Sequence, residues 1–184
     1  MRKSIHFLIA LSPGMAAVNY PVAIFILCIG VLFYSLVEYL RLTGRAVPLI
    51  SNVIAKASRR REQGRFVFGP ITLGLGALFA LLIFPLQIAG IAIYALAFGD
   101  GFASLVGKAI GRIRPSFLFG KSIEGSCACF LAVFISAYGV SGQLSLAVFA
   151  AITATLVEVF PLRDFDNIAI PLSVGFVLLL GGAL

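Results

Sequence analysis

The chain has 184 residues, of which 61% are hydrophobic and only 11% are charged, and its mean hydropathy is +1.11. A soluble domain of this length needs far more polar side chains to cover its surface, so the composition excludes an ordinary soluble protein. The formal charge of +7 would favour a nucleic-acid partner in a soluble protein. In so apolar a chain it instead indicates the excess of Lys and Arg that cytoplasmic loops carry, and we expect no nucleic-acid partner.

Seven apolar blocks follow one another, and each is predicted to be a transmembrane helix, because lipid cannot satisfy the open peptide groups of other backbone structures. The sequence therefore predicts an all-α integral membrane protein, a single transmembrane helical domain over residues 1–184. Ser12-Pro13-Gly14 is expected to kink the first block, and an interfacial helix is predicted near residues 48–57. The blocks cover about residues 4–18, 20–40, 66–84, 86–103, 125–140, 144–160 and 168–184.

The charges alternate with the blocks in a regular way. With seven crossings, all 14 basic and 7 acidic residues fall on one side of the membrane, and the connections around Asn19, Pro85 and residues 141–143 carry none. The Lys and Arg bias predicts that this side is cytoplasmic, with the N-terminus cytoplasmic and the C-terminus outside. We expect a prokaryotic inner (plasma) membrane, because the chain is short, and an active site that faces the cytoplasm.

Acidic residues near helix ends are the strongest candidates for chemistry. A charged side chain costs about 2.5–3.5 kcal/mol at the centre of a membrane helix and less near its ends, so such residues commonly serve a function. One acid alone is equally well explained as an interface marker or the partner of an Arg. Six on one face of a small protein favour an active site, and they are Glu38, Asp100, Glu124, Glu158, Asp164 and Asp166.

Glycines and cations surround two of these acids. Asp100 lies in a Gly-rich stretch that we expect to end the fourth helix in a basic loop, and Glu124 lies at the start of the fifth. Lys121 and Ser122 come at the predicted N-terminus of that helix, where free N–H groups bind anions. Carboxylates beside phosphates normally imply a divalent metal, so the pattern predicts Mg²⁺ with a nucleotide or pyrophosphate. Most other glycines are explained by helix packing.

These residues resemble the motifs of the CTP-dependent membrane lipid kinases, which include dolichol kinase, phytol kinase and yeast-type CTP-dependent diacylglycerol kinase. The shared pattern is G-D-x-x-A-S-x-x-G-K-x-x-G-R followed by G-K-S-I-E-G-S, here Gly99, Asp100, Ala103, Ser104, Gly107, Lys108, Gly111, Arg112 and residues 120–126. Three further stretches agree with the family, and they are Arg2-Lys3 with His6, Glu62-x-Gly64-Arg65, and Glu158 with Pro161, Asp166-Asn167 and Pro171.

The resemblance implies transfer of the CTP γ-phosphate to the hydroxyl of a membrane lipid, a polyprenol-like alcohol or diacylglycerol. It implies that Asp100 and Glu124 position the metal or nucleotide, with Glu158 and Asp166 as further catalytic acids, either supporting ligands or a base. Lys3 and His6 are candidates for substrate contact or support, although a lone His at a helix start is as well explained as a polar end residue. The implied nucleotide-binding residues are Gly99, Ser104, Gly107, Lys108, Gly111, Arg112, Lys121, Ser122, Gly125 and Asn167.

Two other functions compete with this one. Phosphatidate cytidylyltransferases belong to the same superfamily, but their later K-D…H-G-G-x-x-D-R-x-D signature has no counterpart here, which favours the kinase branch. A small transporter would carry charged residues near the bilayer midplane in broken helices, whereas these acids gather at one surface. The thin bundle leaves a homodimer open as a further partner.

Overall fold

The computed structural model describes residues 6–44 and 66–182, and within those ranges the chain is all-helical. The seven apolar blocks are confirmed as helices, of which α2, α4 and α5 are long and apolar enough to cross a membrane. The predicted interfacial helix, Lys3 and the stretch at residues 62–65 lie outside the described residues. The helices are α1 His6–Val18, α2 Tyr20–Leu42, α3 Gly69–Ile83, α4 Leu86–Ala109, α5 Ile123–Ser141, α6 Leu144–Val159 and α7 Asp166–Gly182.

The helix starts follow local capping rules. Asn19 caps α2 by accepting a hydrogen bond from the N–H of Val22 at 3.2 Å, and Ser122 caps α5 by accepting one from Gly125 at 3.1 Å. Pro85 precedes α4, where it breaks the continuation of α3 without costing an intrahelical hydrogen bond. A 3₁₀ turn, Ile9–Leu11, immediately precedes the Ser12-Pro13-Gly14 stretch for which the sequence predicts a kink.

One end of the bundle collects the Asp, Glu, Lys, Arg and His side chains of the described residues. There α1, α3, α5 and α7 begin and α2, α4 and α6 end, which is the alternation expected for helices that run up and down. Four contacts join helix ends across this charged end, and they are His6 with Asp100, Glu38 with the N–H of Val67, Lys121 with Glu158, and Asn167 with the carbonyl of Gly69.

The opposite end is joined by uncharged contacts. The hydroxyl of Tyr20 donates to the carbonyl of Leu81 at 2.6 Å, which ties the start of α2 to the end of α3. The amide of Gln87 donates to the carbonyl of Val140 at 3.4 Å, which ties the start of α4 to the end of α5. The two ends of the bundle therefore differ in charge but are both held by hydrogen bonds.

Helix α4 is the centre of the bundle. Its apolar stretch is 61% buried, against 11% for α2, and it packs against α1, α5, α6 and α7. Small side chains such as Ala89, Ala92 and Ala150 are fully buried, which lets the helices approach closely. The residues of α4 nearest the charged end are thereby surrounded by the other helices.

The Gly-rich stretch after residue 99 is helical, so the predicted basic loop begins later than expected. Helix α4 continues to Ala109 and contains a π-helical segment, Ala95–Asp100. The two glycines beside Asp100 face close neighbours: a Cβ at Gly99 would lie 2.8 Å from Val133, and one at Gly101 would lie 2.9 Å from Phe7. This close packing compensates for the low helix propensity of glycine, which costs about 1 kcal/mol per residue relative to alanine. Helix α5 and helix α7 each begin two residues earlier than predicted, and α3 begins three residues later.

Gly76→Ala should destabilise the bundle, because a Cβ at Gly76 would overlap the backbone carbonyl of Asn167, where α3 crosses the start of α7. We expect a loss of about 1–3 kcal/mol, typical of overpacking, measured as a lower thermal unfolding midpoint in detergent. The matched control is Gly139→Ala, since a Cβ there meets no atom within 4 Å. Equal midpoints for the two variants would contradict the close contact of α3 with α7.

Candidate active site

A cavity of about 510 Å³ lies at the charged end. Its lining comes from the start of α1, the second half of α4, the start of α5 with the loop before it, and the end of α6 with the following loop and the start of α7. These segments are separate in sequence, so only the folded bundle assembles them. The predicted site residues that line the cavity are His6, Asp100, Ser104, Gly107, Lys108, Lys121, Ser122, Gly125, Glu158, Asp166 and Asn167.

Asp100 is presented by the π-helical segment that ends on it. A π-helical turn inserts an extra residue into an α-helix and is found mostly at functional sites. The Oδ2 of Asp100 lies 2.9 Å from the Nε2 of His6, and both side chains are buried. The Nε2 of His6 has no hydrogen bond of acceptable geometry among the described residues. The pair is thus a close polar contact inside the cavity.

Glu158 provides a second buried carboxylate. Its Oε1 forms an ion pair with the ammonium of Lys121, which links the end of α6 to the residue before the cap of α5. Only 3% of Glu158 is exposed, and its Oε2 has no hydrogen-bond partner among the described residues. A buried carboxylate oxygen without a partner is costly, so this atom is a candidate contact for a bound ligand.

The glycines of the motif bring α4 and α5 into backbone contact. A Cβ at Gly107 would lie 3.1 Å from the hydroxyl of Ser122, and one at Gly125 would lie 2.8 Å from the carbonyl of Ala103. Gly107 and Gly125 also line the cavity. Close helix packing and close approach of a ligand both require that these positions carry no side chain. Gly99 and Gly111 take part in the packing but do not line the cavity.

Glu124 holds the loop between α4 and α5. Its Oε1 accepts hydrogen bonds from the N–H groups of Arg112 at 2.9 Å and Ile113 at 3.2 Å. Neither Glu124 nor Arg112 lines the cavity, and the side chain of Arg112 is exposed. The structure therefore places these two predicted site residues beside the cavity, in a position to shape the loop.

Arg114 is a site residue that the sequence analysis missed. Its guanidinium donates to the carbonyl of Gly120 and to that of Gly107, both at 2.7 Å, and it lines the cavity. It thereby satisfies a carbonyl near the end of α4 while holding the turn before Lys121. Its sequence position, before Pro115, carried no signal for this role. Ser126, Phe160, Pro161 and Arg163 also line the cavity and were not among the predicted site residues.

Asn167 joins α7 to α3 beneath the cavity. Its Nδ2 donates to the carbonyl of Gly69 at 3.1 Å and to the hydroxyl of Thr72 at 2.9 Å, and the residue is buried. Both amide protons are used within the protein. The predicted nucleotide contact would therefore have to come from the amide oxygen of Asn167.

The carboxylates of the cavity fit a metal ion that is bound together with phosphate, and not one that is held by side chains alone. Among residues 6–44 and 66–182, no group of three or more His, Cys, Asp or Glu side chains is arranged to hold a metal ion. However, Asp100, Glu158 and Asp166 all line the cavity, and Asp166 is within electrostatic range of Asp100 and Lys121. Mg²⁺ is usually bound by one or two carboxylates together with phosphate oxygens and water. The donors fit a metal that is bound with a phosphate group.

No protein-family model and no solved structure matches the chain. It is 28% identical to a probable chloroplastic phytol kinase of Triticum aestivum, over 66% of this chain and 46% of that protein. It is 30% identical to a probable phytol kinase 2 of Oryza sativa subsp. japonica, over 72% of this chain and 49% of that protein. It is 27% identical to a CTP-dependent diacylglycerol kinase 1 of Eremothecium gossypii, over 60% of this chain and 35% of that protein.

The resemblance to the CTP-dependent membrane lipid kinases is confirmed. The chain spans about half the length of the phytol kinases that it matches. These relatives are eukaryotic and several are chloroplastic, so they do not support the expected prokaryotic inner membrane.

Glu124→Gln and Glu124→Ala should differ in their effect on nucleotide binding, because a Gln carbonyl oxygen can still accept from the N–H groups of Arg112 and Ile113. We expect the Gln variant to bind a fluorescent CTP analogue within about threefold of wild type and the Ala variant about tenfold more weakly. A Gln variant as weak as the Ala variant would show that the carboxylate charge, as in a metal ligand, is what matters.

Proposed function

We propose that the chain is a CTP-dependent lipid kinase that transfers the γ-phosphate to the hydroxyl of a polyprenol-like alcohol, such as phytol, or of diacylglycerol. The observation that carries the proposal is the cavity at the charged end, which brings together motif residues from four separate segments. The relatives named phytol kinase and CTP-dependent diacylglycerol kinase support the reaction class and the donor.

The cations of the cavity suit the phosphates of a nucleotide. Lys108, Arg114, Lys121 and Arg163 line it from three different segments. Guanidinium and ammonium groups bind phosphate by charge-assisted hydrogen bonds, and converging cations balance its several negative charges. The capped N-terminus of α5 adds N–H groups and a helix dipole of favourable sign.

The reaction requires alignment and charge balance more than covalent chemistry by the protein. The lipid hydroxyl oxygen forms a bond to the γ-phosphorus, the bond from that phosphorus to the β–γ bridging oxygen breaks, and CDP leaves. The hydroxyl proton passes to a carboxylate of the cavity. Asp100 and Asp166 would hold Mg²⁺ together with the phosphates, where the metal supplies positive charge to the phosphoryl group. Glu124 acts through the loop that it holds.

The proposal includes the placement of the chain in the membrane. One domain of seven helices crosses the bilayer with the N-terminus cytoplasmic and the C-terminus outside, and the charged end faces the cytoplasm. The charge difference between the two ends supports this placement, since loops rich in Lys and Arg stay cytoplasmic. A phosphate donor from the cytoplasm and a hydroxyl from the membrane would then meet at the same depth.

Purified protein with Mg²⁺, γ-labelled CTP and phytol, a polyprenol or diacylglycerol should produce a labelled lipid and CDP. Asp100→Asn should lower the rate by about 100-fold or more, because it removes one of the two carboxylates proposed to hold Mg²⁺ against the phosphates. Asp164→Asn is the matched control, since Asp164 does not line the cavity. Labelled pyrophosphate released with phosphatidic acid, and no labelled lipid, would assign the chain to cytidylyl transfer instead.

Single-cysteine variants at Phe117 and Gln143, in a chain whose three native cysteines are replaced, should report the placement in the membrane. In sealed right-side-out vesicles, an impermeant maleimide should label the cysteine at position 143 and reach that at position 117 only after permeabilisation. Labelling of both before permeabilisation would contradict seven crossings, and the reverse pattern would invert the orientation.

A further inference from the structure

Exposed aromatic rings lie on the two loops that border the cavity. Phe119 is 58% exposed and Phe160 is 53% exposed, although both belong to the charged end and not to the apolar surface of a helix. Their rings stack with centroids 6.1 Å apart and an interplanar angle of 30°. Apolar surface exposed beside charged groups is typical of a binding site.

The ring pair is continuous with the interior of the cavity. Phe160 lines the cavity while more than half of it is exposed, so it spans from the outside to the inside. Phe119 has a backbone φ of +50°, which is uncommon for a bulky side chain. This left-handed conformation belongs to the turn that places its ring against the loop after α6.

A buried polar group lines the same cavity as Phe160. The same two loops are joined a second time by the ion pair of Lys121 with Glu158, each residue two positions from one of the stacked rings. The ammonium of Lys121 donates a hydrogen bond to the Oε1 of Glu158, and Oε2 has no hydrogen-bond partner in the described part of the chain. An exposed apolar surface thus leads to a buried carboxylate oxygen that can accept a hydrogen bond.

We infer that the Phe119–Phe160 ring pair is the binding site for the apolar chain of the acceptor lipid, and that the Oε2 of Glu158 accepts the proton of its hydroxyl. This inference rests on the proposed kinase function and adds the acceptor subsite to it. The ligand that fits is an amphiphile with a long apolar chain and a terminal hydroxyl, since the rings contact the chain and the carboxylate contacts the hydroxyl. Lys108 also lines the cavity and would hold the phosphate donor.

Glu158 and Lys121 together account for the fate of the hydroxyl proton. The hydroxyl donates to Oε2, and its proton moves to that oxygen as the oxygen–phosphorus bond forms and CDP leaves. Lys121 stabilises the carboxylate before the transfer. Neither Phe119 nor Phe160 takes part in the chemistry, so their replacement should change binding of the lipid and leave binding of CTP unchanged.

Photolabelling tests the subsite without requiring activity. Wild-type protein in nanodiscs is irradiated with a phytol analogue that carries a diazirine on its chain, and the labelled positions are mapped by mass spectrometry. Labelling should fall on residues 117–119 and 160–162, and excess phytol should compete with it. Labelling confined to the lipid-facing sides of the helices, without competition, would overturn the subsite.

Kinetics supply the second measurement. Phe119→Ser and Phe160→Ser should each raise the KM for phytol about tenfold, with an unchanged KM for CTP and unchanged turnover of the short alcohol prenol. Phe165→Ser is the matched control, since Phe165 is 67% exposed on the same loop but does not line the cavity. Equal effects of all three variants would show that the rings only anchor the protein in the bilayer, which would overturn the subsite.

The two measurements separate the subsite from the reaction. Competed labelling at the rings without any phosphorylated product would retain the subsite and reject the kinase. Phosphorylated phytol with unchanged kinetics in the ring variants would retain the kinase and reject the subsite. Glu158→Gln should abolish phosphorylation while leaving photolabelling in place, and a Gln variant with wild-type turnover would reject Glu158 as the proton acceptor.

Discussion

The cost of placing a charge inside an apolar helix bundle constrains the rest of this structure. Ionisable groups are stable here only where they pair with one another, bind backbone groups or reach the polar surface, and the described ones meet that condition at one end of the bundle. Glu38 shows how strict the condition is. It is fully buried, and it is matched by a bidentate pair with Arg41 and by the N–H of Val67.

The same constraint separates two kinds of acidic residue at the charged end. The oxygens of Glu38 and the Oε1 of Glu124 are used within the protein, by Arg41 and by backbone N–H groups. Glu124 and Glu158 each keep an Oε2 without a hydrogen-bond partner in the described ranges, but of the two only Glu158 lines the cavity. An acid that stabilises the fold and an acid that can contact a ligand therefore look alike in sequence and differ in what surrounds them.

Helix α4 shows how packing and chemistry share residues. Its π-helical segment ends on Asp100, and the glycines on either side allow neighbouring helices to approach. These neighbours bury Asp100 and bring His6 beside it. Glycine in this stretch thus serves the close packing that encloses the cavity, whereas the sequence analysis expected the stretch to end the helix in a loop.

The sequence by itself determined the helical class, the seven helices and the gathering of charge at one end, because hydropathy and charge are properties of each residue and need no knowledge of its neighbours. It also indicated the family through the spacing of its motifs. Eleven predicted site residues do line one cavity. Only the tertiary structure decided that Glu124 holds a loop, that Arg114 joins two turns, and that Phe160 borders the cavity, because each of these depends on groups distant in sequence that packing brings into contact.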